Sequence, residues 1–154
     1  MSDVKPAQTF EDLESYRAAR QFRKALFEAS RSLPESEKFE LGTEMRRAAL
    51  SLSSHIAAGH ECCHPEHQLQ LLLQARGSAL QLIDYLNAVA DEGYLAEPET
   101  HRLKEQGWSV LQLLNDYIGS LRENHHGQTP QLRETSTRYG EQDTDLEQWI
   151  KSIT

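Results

Sequence analysis

Residues 41–59, LGTEMRRAALSLSSHIAAG, decide the fold of this chain. Their apolar and small residues recur at alternating steps of four and three, namely Leu41, Met45, Ala48, Leu52, His55 and Gly59. Such a seven-residue repeat is typical of a helix that packs one face against neighbouring helices. The stretch therefore predicts a long amphipathic helix.

Prolines and glycines divide the chain into four such segments. Pro34, Pro65 and Pro98 open the later three, at positions where a missing N–H does no harm, and Thr9 is the predicted N-cap of the first. The segments cover residues 10–32, 34–59, 65–92 and 98–124. No run within residues 10–124 alternates with period two over β-branched residues, so strands are not predicted. Matched helices with short connections predict an all-α, antiparallel up-down-up-down four-helix bundle.

The bundle is predicted to span residues 1–126, and residues 127–154 form a polar tail. Near residues 143–153 the tail regains helical spacing, with Leu146, Trp149, Ile150 and Ile153 at i, i+3, i+4 and i+7. A helix of this length forms mainly by docking on another surface. Trp149 is therefore a candidate partner-binding residue, and a loose tail with an incidental tryptophan is the alternative.

Composition narrows the class of protein. The chain has 154 residues, with 16 Lys and Arg against 24 Asp and Glu, giving a formal net charge of −8 that disfavours nucleic-acid binding through the summed field. No apolar run approaches the roughly 20 residues that span a bilayer, and the first residues lack a signal peptide's apolar stretch, so we expect a cytoplasmic protein. The two cysteines, Cys62 and Cys63, are adjacent and cannot form a disulfide scaffold.

The third and fourth segments carry apolar residues on more than one face. A helix that is apolar over more than half of its circumference is expected to be buried on two sides, and large exposed apolar patches are rare on monomers. We therefore expect a homo-oligomer, with a wide intramolecular core as the alternative. The predicted interface residues are Leu71, Leu82, Trp108 and Ile118.

A resemblance to a known family rests on residues 44–59, EMRRAALSLSSHIAAG, with FEDL at 10–13 and LQARGSAL at 73–80. Together they resemble the bacterial four-helix bundle family named after the 23S rRNA intervening-sequence protein, also called S23-like. The resemblance implies a homopentamer without enzymatic activity that acts as a scaffold or adaptor. The family is similar to the accessory protein of diversity-generating retroelements, which implies nucleic-acid binding as a further alternative.

This chain departs from the family pattern at three polar positions. His55 stands where the family usually has Asn, Ala58 where it has Glu, and Gln81 where an acid usually follows Gly-Ser. Because charges on both sides of a network are lost together, no single charge need be left unpaired. We therefore expect that a ligand which reads this cluster in relatives need not bind here.

Imidazole and thiol groups are concentrated after the second segment. Such groups are the preferred ligands of zinc and related transition metals. The candidate metal ligands are His60, Cys62, Cys63, His64 and His67. His55, on the predicted seam, is the candidate cofactor-binding residue, as an axial ligand to heme. The alternatives are a polar loop with incidental His and Cys, and a histidine hydrogen-bonded in the core.

One face of the first segment is basic. Its residues step by three, four and seven, and the candidate partner-binding set is Arg17, Arg20, Lys24 and Arg31. Such a stripe is able to seat a protein partner with acidic residues or a phosphate backbone. A solvated face with local ion pairs is the alternative. No nucleophile with a base and an orienting group can be named, so no enzyme is predicted.

Overall fold

The computed structural model describes residues 9–126 and is all-helical there, as the sequence predicts. A 3-10 turn at Phe10–Asp12 comes first. The helices are α1 at Glu14–Arg31, α2 at Glu35–Lys38, α3 at Leu41–Glu61, α4 at Pro65–Glu92 and α5 at Glu97–His126. Within residues 9–126 there is no strand, so the long elements are the four predicted helices.

The start of the first predicted helix differs from the prediction. Thr9 does act as an N-cap, in a capping box with Asp12, but it caps the 3-10 turn rather than α1. Leu13 then adopts an extended conformation, with φ −67° and ψ 132°, and α1 begins at Glu14. The prediction of one continuous helix from residue 10 was wrong because the box satisfies the amides of a short turn that ends at once.

The second predicted segment is divided in two. Pro34 precedes the single turn of α2, and Glu40, with φ −101° and ψ −88°, separates that turn from α3. At its other end α3 continues to Glu61, so the break predicted at residues 59–64 is confined to residues 62–64. Gly59 is buried inside the helix, where an added Cβ would lie 3.0 Å from Leu72 Cδ2. The glycine allows α3 and α4 to approach closely.

The boundaries of α4 and α5 follow the prediction. Pro65 occupies the first turn of α4, and Gly93 ends that helix in the left-handed conformation with φ 66°. The amide of Gly93 donates to Ala90 O and that of Tyr94 to Val89 O, at 3.2 and 3.1 Å. This pair of bonds is the Schellman motif, in which glycine is favoured because it has no Cβ.

The core lies around α3, which packs against both α1 and α4. α5 approaches both α1 and α4 at Gly107, where an added Cβ would lie 3.0 Å from Phe22 Cζ and 3.0 Å from Ile83 Cγ1. The largest fully buried apolar side chains are Phe22, Leu26, Met45, Leu52, Ile56, Leu72, Leu82, Leu86 and Leu114. The predicted seam residues are thus mostly core residues.

The chain divides into two compact units, residues 1–118 and 119–154. The first contains the 3-10 turn, α1 to α4 and α5 as far as Ile118. The described part of the second, residues 119–126, is the final portion of α5. Trp149 and the predicted helix near residues 143–153 lie outside the described residues. No helix within residues 9–126 combines the length and the apolar character that crossing a membrane requires.

Candidate functional site

A surface groove lies where the 3-10 turn and α1 meet α3. Its volume is about 280 Å³, and its lining residues are Phe10, Tyr16, Arg23, Leu50, Ser51, Ser53, Ser54 and Ala57. The rings of Phe10 and Tyr16 pack edge to face with centroids 4.8 Å apart. The amide of Phe10 donates to Glu61 Oε1 at 3.2 Å, which holds the turn against the end of α3. The groove therefore has one aromatic wall and one wall of small residues and Leu50.

Arg23 is the charged group of the groove. Its Nη1 donates to Ser53 Oγ at 2.7 Å, in a partly buried position. The Ser53 hydroxyl lies within hydrogen-bond distance of the carbonyls of Ala49 and Leu50, at 3.4 and 3.3 Å. Within residues 9–126 no carboxylate forms an ion pair with Arg23. A guanidinium has five N–H donors, so this one has donors to spare for an acidic group.

Ser51 lines the groove and lies one turn from His55 on α3, and the two residues belong to one polar chain. His55 Nδ1 lies 2.7 Å from the Ser51 carbonyl oxygen and 3.0 Å from Ser51 Oγ. Because a carbonyl oxygen only accepts, Nδ1 carries the proton and cannot take one from the Ser51 hydroxyl. Ser78 Oγ on α4 donates to Ser51 Oγ at 3.0 Å. The arrangement joins α3 to α4, and it does not activate Ser51 as a nucleophile.

His55, the candidate heme ligand, is half-buried and bonded to its own helix in this way. The other departures from the family pattern lie elsewhere on the surface. Ala58 is exposed, and Gln81 Nε2 donates to Tyr85 Oη at 2.7 Å on the same helix. The three positions therefore do not form one hydrogen-bonded cluster among the described residues.

The candidate metal ligands are spread over the turn between α3 and α4. Cys62 Sγ donates to the His64 carbonyl at 3.6 Å, and both cysteines are free thiols. Cys63, His64 and His67 are exposed. Among residues 9–126 no group of three or more His, Cys, Asp or Glu side chains is placed to hold a metal ion. The structure does not bring the five predicted ligands together.

His60 instead contacts α5. Its Nδ1 lies 3.2 Å from the Tyr117 hydroxyl. Burial raises the pKa of the Tyr117 phenol above its ordinary value; a hydrogen bond from Gln68 on α4 opposes that rise, and the nearby charge of Glu61 adds to it. Tyr117 therefore connects side chains of three helices in its protonated form.

The predicted basic face lies on the exposed side of α1. Arg17 is held by Asp12, with Nη2 3.7 Å from Oδ1, and its Nε donates to the Glu11 carbonyl at 3.1 Å. Arg20, Lys24 and Arg31 are exposed, and none of them forms an ion pair within the described part of the chain. The structure thus leaves three of the four predicted basic residues available to a partner.

Two of the predicted interface residues are core residues. Leu82 and Ile118 are buried within the single chain because α4 and α5 turn these positions inward. Leu71 is half-buried, and Trp108 on α5 is 53% exposed. Burial within one chain leaves Leu82 and Ile118 without surface for a second copy, so Trp108 is the member of the set that offers substantial contact area.

Sequence reasoning missed Arg23 and the groove. The predicted basic stripe stepped from Arg20 to Lys24 and passed over Arg23, which lies seven residues after Tyr16 and therefore on the same side of α1. That spacing was the available signal. The approach of Phe10 to α3 was not predictable, because it depends on the extended Leu13 and on a contact to Glu61 that is distant in sequence.

The chain is similar to a known protein family and to solved structures. A family model described as 23S rRNA-intervening sequence protein matches residues 11–116. A crystal structure of a protein with unknown function, from the S23 ribosomal protein family of Bacteroides thetaiotaomicron VPI-5482, is similar with a TM-score of 0.64 and 14% sequence identity. The similarity covers 68% of this chain and 95% of that one, and at this identity it shows the fold alone. No curated protein matches the chain.

Proposed function

The chain belongs to the family of 23S rRNA-intervening sequence proteins, and from that premise we propose that it is a non-enzymatic, homo-oligomeric scaffold or adaptor for a protein partner. Its four long helices form an antiparallel up-down-up-down bundle in this proposal, and the assembly is a homopentamer. The membership agrees with the resemblance carried by residues 44–59, and the pentamer is taken from that resemblance.

The observation that carries the proposal is the exposure of large apolar side chains on α4 and α5. Leu80 is 42% exposed and Trp108 is 53% exposed. On α4 the neighbouring Gly77 has no atom within 4 Å of the place where a Cβ would stand. A helical glycine without neighbouring atoms at the Cβ position allows another helix to approach closely. Exposed aromatic and aliphatic side chains of this size favour contact with another protein surface.

The proposed interface therefore consists of Leu80 and Trp108; Leu71 is half-buried and lies on the opposite face of α4 from Leu80. Such residues are at the centre of interfaces more often than at their rim, because tryptophan contributes a large apolar area. The adaptor surface for a partner protein is separate from it and lies on α1, at Arg20, Lys24 and Arg31. The absence of catalysis is proposed from the hydrogen bonding at Ser51, which leaves the hydroxyl without a base.

Light scattering on the full chain tests the assembly. We expect a mass several times the 17.6 kDa of one chain, and five times it for the pentamer. A Leu80→Glu and Trp108→Glu double variant should be smaller, because two carboxylates would be desolvated in the interface. Phe39→Glu is the matched control, since Phe39 is 80% exposed and lies outside the proposed interface.

A mass equal to one chain at all concentrations would exclude the oligomer. A double variant that keeps the full assembly would show that the interface lies elsewhere. The alternatives predicted from the sequence, a metal- or heme-binding bundle and a nucleic-acid accessory module, stay predictions, since no described contact favours them over the scaffold.

A further inference from the structure

The groove beside α1 has the two features that an acidic amphipathic segment needs. Its walls present apolar surface from Phe10, Tyr16 and Leu50, and Leu50 is 49% exposed. Its volume of about 280 Å³ suits one or two inserted aliphatic or aromatic side chains. Ser54 lines the same groove and is exposed, whereas Ser53 is buried and its hydroxyl is engaged by Arg23. The apolar part of a ligand is therefore accommodated between two helices.

Arg23 places a positive charge inside this groove. The guanidinium is partly buried, its described hydrogen bond goes to a neutral hydroxyl, and no carboxylate of residues 9–126 is paired with it. A partly desolvated cation gains more from an acidic partner than an exposed one does, because water screens the interaction less. A carboxylate that reaches the remaining N–H groups would form a charge-assisted, bidentate contact.

The surface next to the groove extends the positive field. α1 contains five basic residues against two acidic ones, in a chain whose net charge is −8. Arg20 lies three residues before Arg23 and Lys24 directly follows it, and both are exposed without an ion pair in the described part of the chain. Basic charge is thus concentrated on the α1 side of the groove, whereas Glu11, Asp12 and Glu61 are acids on the side of the 3-10 turn.

The combination favours a short peptide over a nucleic acid. A long polyanionic backbone is repelled by the net charge of −8 over its whole length. A short segment with a few carboxylates is attracted by the nearby basic residues, and salt screens it from the distant acidic ones. Apolar walls also favour an amphipathic helix or strand, whose anchor side chains fill such grooves.

Resting on the proposed adaptor function, we propose that the groove between α1 and α3 docks an acidic amphipathic segment of a partner protein. One aliphatic or aromatic anchor of that segment inserts between Tyr16 and Leu50. A carboxylate next to the anchor binds Arg23, and further acidic residues lie along Arg20 and Lys24. The segment's sequence pattern is therefore an apolar anchor flanked by Asp or Glu.

Fluorescence anisotropy with synthetic peptides on the full chain tests this proposal. The probe is a labelled peptide in which Asp and Glu flank a Trp-Leu pair. Its two comparison peptides replace either the acids with Lys or the Trp-Leu pair with Ser. We expect the probe to bind and both comparison peptides to bind at least roughly tenfold more weakly, the loss typical of removing an interface anchor.

Two variants locate the site. Arg23→Gln keeps a donor for Ser53 but removes the charge, and Leu50→Asn removes apolar surface at a half-exposed position; each should weaken binding by roughly tenfold. Arg102→Gln, an exposed arginine on α5, and Phe39→Asn, an exposed apolar residue, are the matched controls and should bind as the parent does. Thermal unfolding of each variant confirms that it is folded.

Equal binding of the acidic and basic peptides, or binding unaffected by both groove variants, would overturn the proposal. The proposal would also be overturned if a short RNA bound more tightly than the probe and the Arg23→Gln variant lost that RNA binding. Light scattering on the same samples separates this proposal from the proposed assembly. An oligomer that does not bind the probe refutes peptide binding in the groove alone. A monomer that binds the probe refutes the oligomer alone.

Discussion

At the scale of single residues, Arg46 and Arg47 are neighbours in sequence with opposite environments. The guanidinium of Arg46 donates to Ser30 Oγ, Thr43 Oγ1 and the Lys38 carbonyl, at 3.2, 3.2 and 3.3 Å. It therefore joins the end of α1 and the short helix α2 to α3. Arg47 is exposed, and the one ion pair that it forms within residues 9–126 is with Glu44 of its own helix, at 3.7 Å.

We expect Arg46→Ala to lower the free energy of unfolding by about 1.5–3 kcal/mol, since it removes several hydrogen bonds from a charged donor. Arg47→Ala should change it by less than about 0.5 kcal/mol, because exposed ion pairs contribute little. Urea unfolding of both variants measures the difference. Equal losses for the two variants would contradict the assignment of Arg46 as a connection between helices.

Residue roles were only partly predictable from the sequence. Arg46 and Arg47 are both basic, and the helical periodicity does not tell which of them donates a hydrogen bond to the Lys38 carbonyl oxygen of α2. For the same reason His60 was predicted as a metal ligand, whereas in the structure it contacts the Tyr117 hydroxyl. Side-chain partners across helices depend on packing that a single-chain pattern does not contain.

At the scale of helices, the boundaries set by proline and by the left-handed glycine were predictable, because those residues restrict the backbone locally. Pro65, Gly93 and Pro98 mark their helix ends within a residue. The extended Leu13 and the separate turn of α2 were not predicted, since their sequences contain no glycine or internal proline at the break. There the hydrogen bonds of Thr9 and Arg46 to neighbouring turns decide the conformation.

Helix packing at Gly107 supplies a test. Alanine normally stabilises a helix interior by about 1 kcal/mol relative to glycine. At Gly107 the new Cβ would approach Phe22 and Ile83 to 3.0 Å, and both of these side chains are buried in the core. We expect Gly107→Ala to destabilise the protein by about 1–3 kcal/mol, the usual effect of overpacking a core.

Gly119→Ala is the matched control, since Gly119 is helical, lies outside the proposed interface and has no atom within 4 Å of the added Cβ. It should stabilise the single chain by roughly 0.5–1 kcal/mol. Thermal unfolding of the two variants should therefore shift in opposite directions. A stabilising Gly107→Ala would show that α5 lies farther from α1 and α4 than the structure places it.

At the scale of the whole molecule, the all-helical architecture followed from the seven-residue repeat, and the split between core and surface followed from it in large part. Where a helix has apolar residues on two faces, the sequence does not tell whether the second face is buried within the chain or exposed. Leu82 and Trp108 both belong to such second faces in the pattern, but Leu82 is fully buried while Trp108 is 53% exposed. Only the three-dimensional placement of all the helices distinguishes them.

Stability of the whole molecule should fall at alkaline pH through Tyr117. The pKa of this phenol is raised in the folded chain by burial, so the folded state favours the protonated form over the unfolded state's value near 10. The contribution of Tyr117 to the free energy of unfolding is therefore fully present below about pH 10, and it is lost as the pH rises through the folded-state pKa.

Tyr117→Phe should remove part of this alkaline loss. At roughly pH 8 the variant is expected to be about 0.5–1.5 kcal/mol less stable, through the lost hydrogen bond to His60, and the difference should shrink towards roughly pH 11. Tyr94, whose pKa is raised by burial and by its bond to Glu37, keeps a residual dependence. Urea unfolding at both pH values decides it, and parallel curves for the two proteins would exclude the coupling.

The placement of α3 has a kinetic consequence. Since α1 packs on one side of it and α4 on another, either neighbour can detach while the other still shields part of α3. We therefore expect the backbone amides of α3 to exchange with solvent more slowly than those of α1. Local opening of α1 would then change the groove while the contacts of α3 with α4 persist.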